Sequence, residues 1–149
     1  MPAARTPPVI WVVDDTVVDQ ALIQSAFDAL DEPPTLRSLY SAEEALQCLH
    51  DGEVPDLVLL DLHMPGRGGL FFLEQRQQRG LCPVPVVVMS ASEDERSVEK
   101  CYRFGAATFV DKPVDYDGLK RLAHMLTEYW FTQARLPTPV PPQRVVSAS

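Results

Sequence analysis

Cysteine, positive charge and long apolar runs are all scarce in this chain, and each shortage removes a class of protein. Cys48, Cys82 and Cys101 are the three cysteines among 149 residues. The count is odd, no C-x-x-C pair occurs and no His stands nearby at metal-ligand spacing, so the sequence indicates neither a disulfide framework nor a zinc site, and the three read as reduced thiols. Lys and Arg number 13 against 21 Asp and Glu, a formal charge of −8. That balance argues against wholesale binding to DNA, RNA or anionic lipid, all of which reward clustered cations. No window approaches the ~18 apolar residues of a membrane span. The stretch from Met1 to Pro8 has one positive charge and no apolar segment of signal-peptide length behind it. A cytoplasmic protein is expected. What the chain does have is 46% hydrophobic and 23% charged residues over a single-domain length, enough to bury an ordinary core and too apolar for disorder.

Half of the prolines stand at positions 2, 7, 8, 137, 139, 141 and 142. They mark an irregular N-terminus over residues 1–8 and a Pro-rich, extended or disordered tail over 136–149, leaving one domain over 9–135. Inside it, short β-branched runs alternate with amphipathic stretches. The runs are Val9 to Val13, Thr35 to Leu39, Leu57 to Leu60, Val84 to Met89 and Ala107 to Val110. Three are almost wholly apolar, as suits strands covered by helices on both faces of a parallel sheet. Helical spacing follows each run: Val18, Leu22, Ala26 and Leu30, then Ala42, Ala45, Leu46 and Leu49 behind a Ser41-Ala42-Glu43-Glu44 capping box, then Leu70 and Leu73. A fourth helix, capped by Ser92 or Asp94 and closed by Gly105, turns Val98, Cys101 and Tyr102 inward; the last starts near Asp115 with Leu119, Leu122, Ala123, Leu126 and Trp130 as its stripe. Five βα units predict a doubly wound α/β sheet rather than a barrel, which needs about 250 residues.

In such sheets function collects at the carboxyl ends of the strands, near the point where strand order reverses. Asp14 and Asp15 follow the first strand, Asp61 the third and Ser90 the fourth, and Lys112 lies just after the fifth. A single Asp after a strand is an ordinary turn or N-cap residue. Three carboxylates brought together by neighbouring first and third strands are not ordinary, because their repulsion must be relieved by raised pKa values or by a cation. A hard divalent ion such as Mg2+ fits: it takes oxygen ligands and typically uses one or two carboxylates plus a phosphate oxygen. Gly66, Gly68 and Gly69 lack the Lys-Ser/Thr of a phosphate-binding loop and read as backbone hinges before the third helix.

Four segments, each after its strand, resemble the receiver domain of bacterial two-component response regulators: Val12-Val13-Asp14-Asp15, Leu59 to Gly66, Val88-Met89-Ser90-Ala91, and Phe109-Val110-Asp111-Lys112-Pro113. The resemblance implies a flavodoxin-like (βα)5 sheet of strand order 2-1-3-4-5. It makes Asp61 the phosphoacceptor for the phosphohistidine of a sensor histidine kinase, with Asp15, Asp61 and the backbone carbonyl of His63 on Mg2+ and Asp14 acting through a water. Lys112 would help neutralise the phosphoryl oxygens and the Ser90 hydroxyl would donate to one of them. Ser90 and Phe109 become the switch pair. Taken alone Phe109 reads as a core aromatic, and without a phenol hydroxyl its inward state rests on packing. The His63 imidazole is expected to modulate water access rather than act as base or ligand. The Lys112–Pro113 peptide is expected to be cis, as is common in the family. Such a module is a phosphoacceptor, not a turnover enzyme.

Only irregular sequence follows the last helix, so a stand-alone receiver is expected, signalling through the surface of helix four, strand five and helix five. The last helix, from Tyr116 to Arg135, would run ~30 Å. Of Tyr129, Trp130 and Phe131 at its far end, one ring can face the core while the others cover the sheet edge or meet a partner. This ending, together with Tyr102 to Ala106, is similar to the single-domain regulators partnered with bacterial phytochrome histidine kinases, and implies a homodimer through the helix four and five region that buries Tyr129 or Phe131. Two other readings stand beside it. An inert, dimeric receiver-like adaptor usually lacks the acceptor Asp, the acidic pair or the Lys, and all are present here. A Mg2+-dependent phosphohydrolase of the aspartyl type needs a second carboxylate two residues after the nucleophile, where this chain has His63, and a cap domain for which there is no room.

Overall fold

Strands β1 (Val9–Val13), β2 (Thr35–Leu39), β3 (Leu57–Asp61), β4 (Val86–Ser90) and β5 (Thr108–Asp111) lie parallel in one sheet of order β2-β1-β3-β4-β5. This is the flavodoxin-like order implied by the resemblance. The structure is a computed structural model and describes residues 7–81, 83–91 and 94–133. The Pro-rich tail, most of the irregular N-terminus and the alternative cap Ser92 lie outside the described residues. Helices α1 (Val17–Asp28), α2 (Ala42–His50), α3 (Gly69–Gln78), α4 (Glu95–Arg103) and α5 (Tyr116–Glu128) connect and follow the strands, and a π-helical segment, Tyr129–Gln133, continues α5.

Strand periodicity divides the core into two layers. Trp11, Val13, Val58, Leu60, Val86 and Val88 point to the face covered by α2, α3 and α4, where they meet Leu46, Leu49, Phe72, Leu73 and Cys101. Their neighbours Ile10, Val12, Leu57, Leu59, Val87 and Met89 point to the other face, against Ile23, Phe27, Leu122 and Leu126 of α1 and α5. Alternation with both faces apolar is why the central strands read as continuous hydrophobic runs. Each large aliphatic side chain buried this way contributes roughly 1.5–3 kcal/mol.

The helix caps follow the sequence. Ser41 Oγ accepts the Glu44 N–H at 3.1 Å, Asp94 Oδ1 accepts that of Ser97 at 2.8 Å and Asp115 Oδ1 that of Gly118 at 2.7 Å. Gly105 adopts φ +93°, the left-handed conformation that closes α4.

Four expectations need correction. In α1 the inward stripe is Gln20, Ile23, Ala26 and Phe27, while Val18 and Leu22 are exposed. Gln20 heads the stripe because its amide finds three carbonyls at the strand ends. In α4 Cys101 is buried, but Tyr102 is 47% exposed, its ring lying outside the narrow inner face. The Lys112–Pro113 peptide is trans, with no cis bond among the described residues. The Lys112 backbone is held instead by its N–H, which donates to the Ser90 carbonyl at 2.8 Å. The α-helical part of α5 also stops at Glu128. Beyond it, Trp130 and Phe131 both pack against the α1/α5 layer and Tyr129 turns outward, its ring edge-on to Trp130 at 5.0 Å.

Candidate functional site

The sheet order reverses between β1 and β3, and the carboxyl ends of those strands carry the acidic residues. Val13 pairs with Leu60, so Asp14 and Asp61 emerge side by side. One carboxylate oxygen each from Asp14, Asp15 and Asp61 lies within 4.8 Å of the others. Asp14 and Asp61 are buried and Asp15 is half-buried. An all-oxygen cluster this tight, with two members removed from water, is a setting a hard divalent cation relieves.

Hydrogen bonds to the backbone fix Asp14 and Asp61. The Asp14 N–H donates to the Leu39 carbonyl at 3.0 Å, and the Gln20 amide nitrogen donates to the carbonyls of Val12, Asp14 and Leu39 at 2.8, 3.1 and 3.0 Å. Asp61 Oδ1 accepts the His63 N–H at 3.2 Å. The loop after β3 folds back over its strand because Gly69 has no side chain: a Cβ there would lie 2.8 Å from the Asp61 carbonyl and 2.9 Å from Leu62 Cα. Of the three glycines read as hinges, only Gly66 uses a positive φ, +73°; Gly68 and Gly69 serve close approach instead.

Lys112 faces the cluster from one residue beyond β5. Its Nζ is 3.7 Å from Asp61 Oδ2, 3.4 Å from Asp14 Oδ2 and 2.6 Å from Asp19 Oδ2. Burial works against the ammonium charge, yet the hydrogen bond it donates to Asp19 and the fields of Asp14 and Asp61 hold its pKa above the ordinary lysine value. Burial pushes the Asp61 pKa up, opposed by Lys112 and reinforced by the negative charge of Asp14. Ser90 is buried at the end of β4, one residue beyond the Asp61–Met89 pair. Phe109 is half-buried against the α2–α4 layer, and its N–H donates to the Tyr102 hydroxyl at 3.1 Å.

The acids, Ser90 and Lys112 thus share one sheet edge, as their positions after the strands predict. Tyr129 and Phe131 belong elsewhere, about 20 Å along α5 from its start. Tyr129 is 53% exposed, whereas Phe131 packs against its own core. The sequence reading misses Asp19, Thr16, Gln20 and Tyr102. The signal for the first two was present in Thr16-Val17-Val18-Asp19, a cap-like spacing at the start of α1. Here the Thr16 hydroxyl bonds Asp14 Oδ1 at 2.7 Å and Asp19 Oδ2 at 3.0 Å rather than capping the helix. Beside them a cleft of about 230 Å³ runs between α1 and the start of α5, lined by Asp19, Leu22, Lys112, Pro113, Val114 and Tyr116 among others.

A family model described as the response regulator receiver domain matches residues 10–124. The chain belongs to the response regulator receiver family. The receiver is 31% identical over 142 residues to the probable methanogenesis regulatory protein FilR2 of Methanothrix harundinacea, covering 91% of this chain and 92% of that one. With the DNA-binding transcriptional regulator NtrC of Escherichia coli it shares 32% identity over 114 residues, but only 22% of that protein's length. Among solved structures, the phosphorylated cyanobacterial phytochrome response regulator RcpA superimposes with a TM-score of 0.80 at 27% identity, covering 89% of the receiver and 99% of RcpA. A response regulator in red light signaling of R. palustris gives 0.79 at 25% identity, with 88% and 99% covered. The Mn2+-bound form of Rcp1 gives 0.75 at 25% identity, with 89% and 100% covered. No helix among the described residues of the receiver is long and apolar enough to cross a membrane.

Proposed function

We propose that this receiver takes a phosphoryl group onto Asp61 from the phosphohistidine of a sensor histidine kinase, in a Mg2+-dependent reaction, and signals through a changed protein-binding surface. The observation that carries the reading is the meeting of Asp14, Asp15 and Asp61 within 4.8 Å, with Lys112 alongside, at the switch point of the sheet. An Asp61 oxygen attacks phosphorus as the N–P bond breaks. The bonding pair leaves on the imidazole nitrogen, which takes up a proton, and an acyl phosphate remains.

The donor set fits the metal, since it is all oxygen, carboxylate-rich and partly dehydrated. Asp15, Asp61 and the His63 carbonyl would hold Mg2+ directly and Asp14 through water; the bound ion would neutralise charge on the phosphoryl oxygens. Lys112, whose Nζ is 3.4 Å from Asp14 and 3.7 Å from Asp61, supplies a second positive charge. The His63 N–H, 3.2 Å from Oδ1, orients the acceptor carboxylate. Ser90, at the end of the adjacent strand, donates its hydroxyl to a phosphoryl oxygen, and Phe109 moves inward from its half-buried position to follow it. The similarity to RcpA and to the R. palustris regulator supports a bacterial phytochrome kinase as the donor.

Phosphotransfer from a histidine kinase tests this reading. Labelling is expected in wild type, lost in Asp61→Asn and lost in EDTA, while Lys112→Ala labels but no longer changes its surface. A labelled Asp61→Asn protein refutes the acceptor. The output surface includes Tyr129, the outward ring of the aromatic cluster, in a homodimer through α4, β5 and α5. Light scattering at ~100 µM, where a weak dimer is populated by mass action, should give twice the monomer mass; a monomer with and without a phosphoryl mimic contradicts it.

A further inference from the structure

We propose that Asp19 is a positioning residue that holds the Lys112 ammonium away from Asp61 in the resting receiver, so that a phosphoryl group on Asp61 must win Lys112 from a standing partner. The inference rests on the reading of Asp61 as phosphoacceptor and adds a competitor to it.

The distances define the competition. At 2.6 Å, Lys112 and Asp19 make a short charge-assisted hydrogen bond. At 3.7 Å, Asp61 is beyond hydrogen-bond range. Both ends of the Asp19 contact are braced. Asp19 sits in the first turn of α1, and its Oδ2, 3.0 Å from the Thr16 hydroxyl, shares that single proton with Asp14 Oδ1 at 2.7 Å. Lys112 has its backbone N–H fixed on the Ser90 carbonyl. Only the lysine side chain is therefore free to change partner, and it needs to travel about 1 Å to bring Asp61 into hydrogen-bond range. Asp19 is outside the cluster of Asp14, Asp15 and Asp61. A cation on that cluster would weaken the pull of the three acids on Lys112 and leave Asp19 its strongest partner. The direction of the Asp19 pKa agrees: Lys112 holds it below the ordinary carboxylate value.

A purely structural Asp19 would act differently. An acid in the first turn of a helix interacts favourably with the helix dipole, and losing it would affect stability without regard to Lys112. Two measurements separate the roles. The first is calorimetric titration of beryllofluoride with Mg2+ into wild type, Asp19→Asn, Lys112→Ala and the double variant. Asp19→Asn is expected to bind about fivefold tighter, the scale of one part-buried ion pair, and to make no difference in the Lys112→Ala background. Unchanged or weaker binding in Asp19→Asn overturns the proposal, and so does equal tightening with Lys112 absent, which would mark a general charge effect.

The second measurement stands even if Lys112→Ala loses the mimic altogether. Lys100, Lys112 and Lys120 are the three lysines of the chain, so the Lys112 ε-methylene resonance can be assigned by substitution. In unliganded Asp19→Asn it is expected to shift from its wild-type position toward that of mimic-bound wild type; an unshifted resonance overturns the proposal. Failure of wild type to bind beryllofluoride, with Asp61→Asn as control, would instead count against the phosphoacceptor reading, whereas a Lys112 resonance left unshifted by Asp19→Asn overturns the role of Asp19 whether or not the mimic binds.

Discussion

The side chain of Gln20 carries the backbone of Asp14: its Nε2 donates to the Asp14 carbonyl at 3.1 Å while also reaching Val12 and Leu39. Two N–H bonds on a buried amide thus tie the ends of β1 and β2 beneath the acidic loop. Gln20→Leu keeps the size and removes the donors, leaving buried carbonyls short of a partner. It is expected to cost about 1–3 kcal/mol in urea unfolding and to weaken divalent-cation binding. A variant with wild-type stability and metal affinity contradicts the anchoring role.

Asp61 titrates against stability. Burial, then the charges of Asp14 and Asp15, raise its pKa over the pull of Lys112 and the His63 N–H. The folded protein therefore holds this proton more tightly than the unfolded chain. Its stabilising contribution is complete below the ordinary Asp value and is lost as pH rises from there through the raised value. In EDTA near neutral pH, Asp61→Asn is therefore expected to raise stability. The gain should vanish at about pH 3, where the wild-type acid is itself protonated. A destabilised Asp61→Asn at neutral pH contradicts this account of the cluster.

Gly69 is where the loop after β3 passes closest to the acceptor strand. Gly69→Ala sets a methyl group 2.8 Å from the Asp61 carbonyl and 2.9 Å from Leu62 Cα. Both are backbone atoms that cannot rotate away. A loss of about 1–3 kcal/mol is expected from overpacking, together with slower phosphorylation as the Asp61 carboxylate and the His63 N–H separate. Normal stability in thermal unfolding argues against the close approach.

Tyr102 closes part of the open edge of the sheet. Among the described residues β5 has a strand partner only on its β4 side, and the Tyr102 hydroxyl accepts the Phe109 N–H at 3.1 Å. Tyr102→Phe frees that amide, and water can replace the phenol at this half-open site, so the cost is expected to stay within about 1 kcal/mol. The Phe109 amide should exchange with deuterium faster, while amides in β3 keep their protection. Unchanged exchange at Phe109 rules out the phenol as its partner.

The sequence makes the sheet and its acidic edge legible because both are local. The central strands, buried on two faces, are apolar runs, and Asp14, Asp15, Asp61 and Ser90 stand at or directly after the carboxyl ends of β1, β3 and β4. Expected and observed strands agree to within two residues, β4 starting at Val86 rather than Val84. Other features depend on contacts between distant segments. Gln20 displaces the apolar Leu22 from the inward stripe of α1 because carbonyls from two strands converge on its amide. Lys112 leans on Asp19 because β5 ends beside the first turn of α1, a proximity no spacing along the chain encodes. Tyr102 reads as part of an apolar stripe until β5 offers it an amide.

Intact-mass spectrometry after incubation with a small acyl-phosphate donor and Mg2+ tests the central claim most directly. Wild type should gain about 80 Da, one phosphoryl group, that is lost in base and absent in EDTA, and Asp61→Asn should gain nothing. An equal gain in Asp61→Asn, or none in wild type together with no binding of beryllofluoride, contradicts Asp61 as the phosphoacceptor.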